Sequence, residues 1–312
     1  MSRKRIERMV LWMDENKKSA IVFSVTSDLI FAVASVLMDI KKICRVLPDE
    51  VVVFHDGVNK KNIRLLNDIM PVKGVRYSLP ANIEDAIDIG TLCYFSKMIF
   101  AKFECLNLLN EYDTVLFLDY DQVINKDISS LYSPENRNII MLESDGNLRK
   151  QLYSPIPGWD MEINAYCASV MSFSRSIGDY NKMYSWCNER AREYSQFLYI
   201  PDQAIYAMLF DYFSVVPETI RLDQYCCHPS NTKKIEKAFI IHAYGKSKFW
   251  NGIKNQQWNE NYERWKKMGG DPYKEKSNKR RARIVSAKIR NKIRLFINRL
   301  TKVALSGSGA VW

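Results

Sequence analysis

Short apolar runs alternate with amphipathic stretches along the first third of the chain. Three runs, at residues 21–25, 50–54 and 75–78, are rich in β-branched or aromatic side chains and end at polar turns, which predicts strands. Helical spacing of apolar residues lies between them, at residues 31–40 and 62–70. This alternation predicts an α/β fold, in which a doubly wound, mostly parallel sheet is flanked by helices.

The same alternation continues to about residue 250. A stripe of apolar residues at helical spacing between 94 and 109 predicts a helix that packs on the core and contains Lys102. Residues 146–160, which include Gly158 and two prolines, predict a long loop able to cover a site. Further strands are predicted at 114–118, 138–142, 168–173 and 238–243, and further helices at 178–194 and from Pro201 onwards.

Residues 21–38 are apolar enough to raise the question of a membrane span. Asp28 lies among them together with several Ser and Thr residues. The stretch also lacks the run of ~20 consecutive apolar residues that a span requires. We therefore expect a buried strand followed by a buried helix.

Two carboxylates stand directly after the apolar run 114–118. Because side chains alternate across a strand, Asp119 and Asp121 are expected to leave on the same face. Such a pair repels and is costly to bury unless a cation lies between the two groups, which favours a divalent metal with oxygen ligands. The alternative is a pair of acidic residues in a solvated loop. Ligands of doubly wound sheets bind beyond the carboxyl ends of the strands, where residues 26–28 would also lie.

His242, at the end of the predicted strand 238–243, is one of only three histidines. A single histidine after a strand is more often structural than a ligand. Here Gly245 permits close approach of the backbone, and Lys246 and Lys248 add cations within a few residues. This combination suits a metal-bound diphosphate, because the lysines would neutralise negative charge that develops on a leaving group.

Several motifs, taken in order along the chain, resemble those of the retaining glycosyltransferases of family 8. They are AKF at 101–103, YDTVLFLDYD at 112–121, PDQ at 201–203 and HAYGKSKFW at 242–250. In the last motif Phe249 stands where the family usually has proline. The resemblance covers roughly residues 21–250 and implies a GT-A fold, with a Rossmann-like mixed, mostly parallel sheet and flanking helices.

The resemblance also implies a UDP-sugar donor and a Mn²⁺ cofactor. Asp119, Asp121 and His242 would be the metal ligands, and Asp119 would also lie near the ribose. Gly245 and Lys248 would contact the diphosphate. The other positions implied to bind the nucleotide are Val25, Thr26 and Asp28 in the uracil-binding segment, Tyr120 within the Asp-X-Asp motif, and Lys102 near the nucleotide and the donor sugar.

The reaction implied by the resemblance is transfer of a hexosyl unit to a glycan or glycolipid acceptor, with retention of the anomeric configuration. Asp202 and Gln203 are the implied catalytic residues, placed against the donor sugar and the reacting face. Three positions depart from the family pattern. Leu29 replaces an aromatic residue that stacks on uracil, Cys167-Ala168-Ser169 replaces Asn-Ala-Gly beside the donor sugar, and Tyr206 stands where asparagine is usual.

Positive charge is concentrated at the carboxyl-terminal end of the chain. From Lys274 onward there are twelve Lys and Arg and one Glu, so this segment alone accounts for the net charge of +11. The rest of the chain carries no net charge, and the cations of the tail are not interleaved with a set of aromatic residues that could stack on bases. Both observations argue against a nucleic-acid partner. Seven cysteines without a Cys-X-X-Cys pair indicate free thiols in a reducing compartment.

We therefore divide the chain into a glycosyltransferase catalytic domain, residues 1–270, and a basic amphipathic tail, residues 271–312. Apolar residues of the tail recur at steps of three or four, which predicts a helix that lies on an anionic membrane surface. The expected location is cytoplasmic and peripheral on the inner membrane face, where a lipid-linked acceptor would be within reach. The alternatives are a helix packed on the body and a disordered, solvated tail. The apolar positions are Val285, Ile289, Ile293, Phe296, Leu300 and Val303.

Two other functions fit parts of the pattern. A haloacid-dehalogenase-type phosphatase also has Asp-X-Asp after an apolar strand, but normally near the start of the chain, and it leaves His242 without a role. A glycosyltransferase-like module that binds a nucleotide sugar without transferring it is compatible with the altered segment 167–169. Release of UDP on addition of an acceptor distinguishes the transferase from this binding module.

Overall fold

The computed structural model describes residues 17–79, residues 95–274 and Ile293. In this part of the chain, seven strands form one sheet and two strands form a second, smaller one. The strands are β1 (Ser19–Val25), β2 (Glu50–His55), β3 (Val72–Arg76), β4 (Thr114–Leu118), β5 (Gln122–Ile124), β6 (Ile140–Asn147), β7 (Asn164–Ser174), β8 (Glu218–Ile220) and β9 (Ile240–His242).

Helices cover both faces of the large sheet. The α-helices of the described residues are α1 (Ile30–Ile43), α2 (Lys60–Asn67), α3 (Glu104–Asn107), α4 (Tyr180–Glu193), α5 (Pro201–Tyr212), α6 (Leu222–Tyr225) and α7 (Gln256–Lys267). Short 3₁₀ helices lie at Ser27–Leu29, Lys97–Phe103, Leu108–Asn110, Ser129–Tyr132, Leu148–Gln151, Arg175–Ile177 and Ile235–Lys237.

The large sheet has the strand order β3-β2-β1-β4-β7-β6-β8. Strands β3, β2, β1 and β4 are parallel, as are β6 and β8, whereas β7 runs antiparallel to both β4 and β6. This mixed, mostly parallel α/β sheet with flanking helices confirms the predicted fold class. The carboxyl ends of β1 and β4 therefore lie side by side at one edge of the sheet.

The apolar stretch 21–38 forms β1 and most of α1, and nearly all of its side chains are buried. Phe31 on α1 packs edge-on against Trp258 and Tyr262 of α7 and against Tyr273 beyond it. This confirms the prediction of a buried strand followed by a buried helix. No helix among the described residues is both long enough and apolar enough to cross a membrane.

A buried acid joins α1, β5 and α7. One carboxylate oxygen of Asp39 accepts a hydrogen bond from the Ile124 backbone N–H (3.1 Å), and the other accepts one from Asn261 Nδ2 (2.6 Å). Burial raises the pKa of the Asp39 carboxyl to about 6, against the opposing effect of these hydrogen bonds. The strand that follows the acidic pair is thus fixed to both helices by one side chain.

Several predicted boundaries differ from the structure. The third strand is Val72–Arg76, not 75–78, and contains Gly74, where a β-carbon would come within 2.8 Å of Ile63 Cδ1. The predicted helix across 94–109 is a succession of short 3₁₀ and α segments. The predicted loop 146–160 begins inside β6 and includes the 3₁₀ helix Leu148–Gln151. The predicted tail helix lies outside the described residues, apart from Ile293 and the first residues to Lys274.

Candidate active site

The end of β4 places two carboxylates in one cluster with an imidazole. Strand β4 ends at Leu118, and Asp119 and Asp121 follow on either side of Tyr120. One potential ligand atom from each of Asp119, Asp121 and His242 lies within 4.8 Å of the other two. The side chains of Asp121 and His242 are buried, and that of Asp119 is 25% exposed. The predicted convergence of these three side chains is therefore present.

The small sheet brings the histidine to the acidic pair. Strands β5 and β9 are antiparallel, with Gln122 opposite His242. The Ala243 backbone N–H extends this pairing by donating to the Asp121 carbonyl oxygen (3.0 Å). As a result, His242 Nε2 lies 3.0 Å from Asp121 Oδ1 and 3.9 Å from Asp119 Oδ2.

The turn after β9 returns a lysine to the same carboxylate. Gly245 has φ +87°, a left-handed conformation that glycine adopts without strain. The Lys248 ammonium donates to Asp121 Oδ2 and to the Ala243 carbonyl oxygen (2.8 Å). Gly245 and Lys248 thus lie beside the cluster, and the Lys248 side chain is 21% exposed; their predicted contact with a diphosphate stays a prediction.

A second lysine occupies the opposite side of the acidic pair. Lys102 Nζ lies 2.8 Å from Asp202 Oδ2 and 3.3 Å from Asp119 Oδ1, and it also donates to the Ala168 carbonyl oxygen (2.9 Å). Lys102 and Asp202 are both buried. The other oxygen of Asp202, Oδ1, is buried without a hydrogen-bond partner among the described residues. Lys102 therefore links the first turn of α5 to the Asp-X-Asp segment.

Mutual interactions decide which of these buried groups are charged. Burial opposes the charged form of Lys102, but Asp119 and Asp202 raise its pKa above the usual value. Burial raises the pKa of Asp119, whereas at Asp121 the nearby His242 and Lys248 outweigh burial and hold the pKa below its usual range. Burial alone would lower the pKa of His242, but Asp121 raises it.

The charges and donor atoms of this cluster fit a divalent cation. With His242 neutral, which is the form of histidine that ligates a metal, the carboxylates of Asp119, Asp121 and Asp202 outnumber the ammonium groups of Lys102 and Lys248 by one. Two carboxylates and an imidazole are ligands that Mn²⁺ accepts, and the buried setting makes a compensating charge favourable. The residues present thus fit a metal ion held by Asp119, Asp121 and His242.

The segment after β1 lies at the same edge of the sheet. Thr26 and Asp28 are half-buried, whereas the Val25 side chain is fully buried in the core, so any contact of Val25 with a base would come from its backbone. The Tyr120 ring lies 6.3 Å from the Trp250 ring, tilted by 32°. Burial and the nearby carboxylates of Asp121, Asp119 and Asp28 raise the pKa of Tyr120, which keeps its hydroxyl protonated.

A family model described as glycosyl transferase family 8 matches residues 20–177, which is half of the chain. The protein belongs to this family. It is accordingly a glycosyltransferase, and the predicted resemblance is confirmed. The phosphatase alternative is left without support. No curated protein sequence matches the chain.

Solved structures of other glycosyltransferases have the same fold. The chain is similar to the galactosyltransferase LgtC in complex with donor and acceptor sugar analogues (TM-score 0.53, 14% identity, 85% of this chain and 99% of that one). It is also similar to the bifunctional WbbM (TM-score 0.58, 16% identity, 82% and 52%) and to GlyE of Streptococcus pneumoniae TIGR4 (0.51, 14%, 82% and 65%). The chain thus spans about half of WbbM. At these identities the likeness shows the fold alone, which is GT-A.

Two of the departures from the family 8 pattern are core residues. Leu29 is buried. Tyr206 is fully buried among Phe103, Phe173 and Phe210, and its hydroxyl donates to the Lys102 carbonyl oxygen (2.9 Å). Tyr206 therefore supports the backbone that presents Lys102. Gln203 is half-buried in the first turn of α5, next to Asp202.

The sequence did not indicate the role of Gln122. Its Nε2 donates to the Ser169 carbonyl oxygen (3.0 Å), and that oxygen also accepts the Asp119 backbone N–H (3.1 Å). One carbonyl on β7 therefore holds both ends of the Asp-X-Asp turn. In the sequence Gln122 is one more polar residue after Asp121, and its partner lies 47 positions away.

A cluster of thiols behind His242 was also missed. Cys226 Sγ lies 3.2 Å from His242 Nδ1 and 3.6 Å from Ser169 Oγ, which is itself 3.4 Å from Cys167 Sγ. The neighbouring Cys226 thiol lowers the pKa of Cys167 to about 6, and Cys167 in turn raises the pKa of Cys226. The altered segment 167–169 therefore lies on the inner side of the cluster formed by Asp119, Asp121 and His242.

Proposed function

We propose that this family 8 enzyme is a retaining hexosyltransferase that uses a UDP-sugar donor, a glycan or glycolipid acceptor of the bacterial surface-glycan type, and Mn²⁺. The observation that supports this most is the convergence of Asp119, Asp121 and His242 beside Lys248, at the carboxyl edge of the sheet. Ligands of open α/β sheets bind at that edge. LgtC, a structural relative, is named as a galactosyltransferase that binds donor and acceptor sugar analogues.

The residues of this chain divide the work of binding the diphosphate. A divalent cation at the cluster would supply the positive charge that polarises phosphate oxygens. Lys248 would turn from Asp121 toward a phosphate oxygen and neutralise charge on the departing UDP. The backbone at Gly245 has no β-carbon and has open space beside it, so a phosphate could approach closely.

The other side of the cluster is suited to the sugar. The unpaired Asp202 Oδ1 is a buried acceptor that a sugar hydroxyl would satisfy. Lys102 fixes the position of Asp202 relative to Asp119, so the sugar and the nucleotide would be oriented by one rigid contact. Gln203, next along α5, would stabilise the positive charge of an oxocarbenium-like sugar while the acceptor hydroxyl attacks the same face.

Donor binding and donor cleavage can be tested on the same protein. We expect UDP-galactose or UDP-glucose to raise the unfolding midpoint only when Mn²⁺ is present, because a ligand that binds the folded state stabilises it by mass action. Slow UDP release should accompany binding. Asp121→Asn should abolish both, whereas Asp179→Asn, at an exposed helix start, should change neither. The same rise in unfolding midpoint and the same UDP release with Mn²⁺ and with EDTA would contradict the proposal.

A module that binds the donor without transferring it is the second candidate. The support for it is Cys167, whose thiol replaces an asparagine side chain beside the sugar position and is hydrogen-bonded to Ser169 instead. Mn²⁺-dependent binding without UDP release, across a panel of acceptor glycans, would favour this candidate.

We also propose that the basic tail holds the enzyme on the cytoplasmic face of the inner membrane. Each cation near an anionic leaflet contributes about 1 kcal/mol, which salt screens. Asp271 and Tyr273 still contact the body, through Asn62 and Tyr262, so a truncation should be made after Lys274. The full chain should pellet with phosphatidylglycerol vesicles at low salt and the truncated one should not. Equal pelleting would refute the membrane role.

A further inference from the structure

Two cysteines and a serine form a continuous polar cluster inside the GT-A domain. Cys167 lies in the middle of β7, and Cys226 follows the short helix α6. Their sulfur atoms lie 3.4 Å and 3.6 Å from the same hydroxyl oxygen, Ser169 Oγ, which links the two thiols. We call Cys167 and Cys226 the thiol pair. Strand and helix bring these thiols together although they are far apart in sequence.

The thiol pair lies directly behind a proposed metal ligand. Cys226 Sγ is 3.2 Å from His242 Nδ1, while the other ring nitrogen, Nε2, faces Asp121. The imidazole is therefore held between a thiol on one side and the acidic pair on the other. Partners on the outer nitrogen of a ligating histidine set its ring orientation and tautomer.

The two thiols differ in their access to solvent. Cys226 is 8% exposed, whereas Cys167 is only half-buried. A small oxidant would therefore reach Cys167 first and find Cys226 as the adjacent thiol. The neighbouring residue Cys227 is 2% exposed, and its thiol is directed at the His228 carbonyl oxygen, so it is not part of the pair.

We propose that Cys167 and Cys226 form a reversible oxidation site for peroxides, and that their disulfide weakens metal binding by His242. The oxidation follows from the thiol pair alone, and its effect on the metal rests on the proposed function. Disulfides that form in a reducing compartment are usually transient, with catalytic or redox-sensing roles.

The chemistry balances with hydrogen peroxide as the oxidant. The Cys167 sulfur attacks one peroxide oxygen, the O–O bond breaks, and the products are a sulfenic acid and one water molecule. The Cys226 sulfur then attacks the sulfenic sulfur, the S–O bond breaks, and a second water molecule leaves with the Cys226 proton. Both thiols are oxidised, the peroxide is reduced, and a dithiol reductant reverses the change.

Formation of the disulfide changes the surroundings of His242. The bond draws Cys226 Sγ toward Cys167 and removes its S–H, so the contact with Nδ1 that orients the ring is lost or altered. Loss of an outer partner of a ligating histidine typically lowers metal affinity about 10- to 100-fold. We therefore expect the oxidised protein to bind Mn²⁺ at least about tenfold more weakly than the reduced protein.

The oxidation site is tested by peptide mapping of the full chain. The reduced protein is treated with hydrogen peroxide and digested without reduction. The expected product is a peptide pair linked through Cys167 and Cys226, two hydrogen atoms lighter than the separate peptides and separated by dithiothreitol. Cys167→Ser and Cys226→Ser should each abolish the link, and Cys227→Ser should retain it. No link in the wild type, or one through other cysteines, overturns the proposal.

The effect on the metal is measured separately, by electron paramagnetic resonance of free Mn²⁺ during titration. Weaker binding after oxidation, restored by dithiothreitol and absent in Cys167→Ser, supports the proposal. Unchanged Mn²⁺ affinity in the cross-linked protein refutes the proposed effect of the disulfide on metal binding by His242. If neither form binds Mn²⁺ but the link forms, the proposed metal site fails while the oxidation site stands. Unfolding midpoints of the variants show that each one folds.

Discussion

His242 Nε2 lies 3.0 Å from Asp121 Oδ1, although the two residues are 121 positions apart in the chain. They are brought together by the pairing of β5 with β9, in which Gln122 stands opposite His242. Backbone hydrogen bonds therefore position both the acidic half of the cluster and the imidazole half. A site prepared in this way loses little conformational freedom when it binds.

His242→Gln should weaken Mn²⁺ binding by more than about tenfold, because removing even an outer partner of a ligand has an effect of that size. The amide keeps a polar group of similar reach next to Asp121. The matched control is His228→Gln, since His228 is a half-buried histidine whose Nδ1 bonds with Ser230. Titration of Mn²⁺ by electron paramagnetic resonance gives both affinities. Equal losses of Mn²⁺ affinity in the two variants would contradict the assignment of His242 as a ligand.

Lys102→Met should lower the free energy of unfolding by about 3–5 kcal/mol, because it leaves the buried carboxylates of Asp119 and Asp202 without their shared cation. Lys73→Met removes an exposed lysine that pairs with Glu111, and it should change stability by less than about 1 kcal/mol. Urea unfolding of both variants measures the difference. A similar, small change in both would show that Lys102 is not essential to the charge balance.

Gln122→Leu should separate metal positioning from stability. The substitution removes the Nε2 bond to the Ser169 carbonyl oxygen, but that oxygen keeps the Asp119 backbone N–H, and the Gln122 Oε1 atom has no partner to lose among the described residues. We expect a change in unfolding free energy below about 1.5 kcal/mol, the upper range of a single hydrogen bond. Mn²⁺ affinity should nevertheless fall, since the Asp-X-Asp turn is less firmly held. Unchanged affinity would rule out this positioning role.

Asp39 should give the fold a distinct pH dependence. Its pKa is about 6 in the folded protein and 3.8 when unperturbed, so between these values the folded state holds a proton that the unfolded state releases. The contribution of Asp39 to the free energy of unfolding is therefore greatest below about pH 4. It falls by about 3 kcal/mol as pH rises from there through about 6. Asn at this position cannot titrate in that range.

The measurement is urea unfolding of the wild type and of Asp39→Asn between about pH 4 and 7. The free energy of unfolding of the wild type minus that of the variant should decrease as pH rises. Other groups titrate in both proteins and cancel in this difference. A difference that stays constant with pH would show that Asp39 is ionised in the folded state throughout this range.

Much of the site was predictable because its signals are local. The apolar run before Asp119 predicts β4, and strand alternation predicts that Asp119 and Asp121 share a face. The apolar run before His242 likewise predicts β9. Only the motif order linked these segments, because the β5–β9 register is set by pairing between distant parts of the chain.

What the sequence did not predict depends on contacts between distant residues or on small differences in backbone geometry. Cys226 meets His242 because α6 and β9 pack together, and the adjacent Cys226-Cys227 pair gives no hint of which sulfur faces the imidazole. The stripe between 94 and 109 fits 3.0 as well as 3.6 residues per turn, since i, i+3 spacing serves both, so the 3₁₀ helix Lys97–Phe103 was predicted as part of a single α-helix.

The pairing of β5 with β9 also determines when the candidate metal ligands first come together. During synthesis, a chain that has emerged only as far as Asp121 has both acids but no imidazole, which arrives on β9 much later. A divalent cation that needs all three ligands would therefore be bound only after nearly the whole catalytic body has been translated and folded. By the same reasoning, a proteolytic cut that frees β9 would release any cation bound at this cluster while leaving every ligand chemically intact.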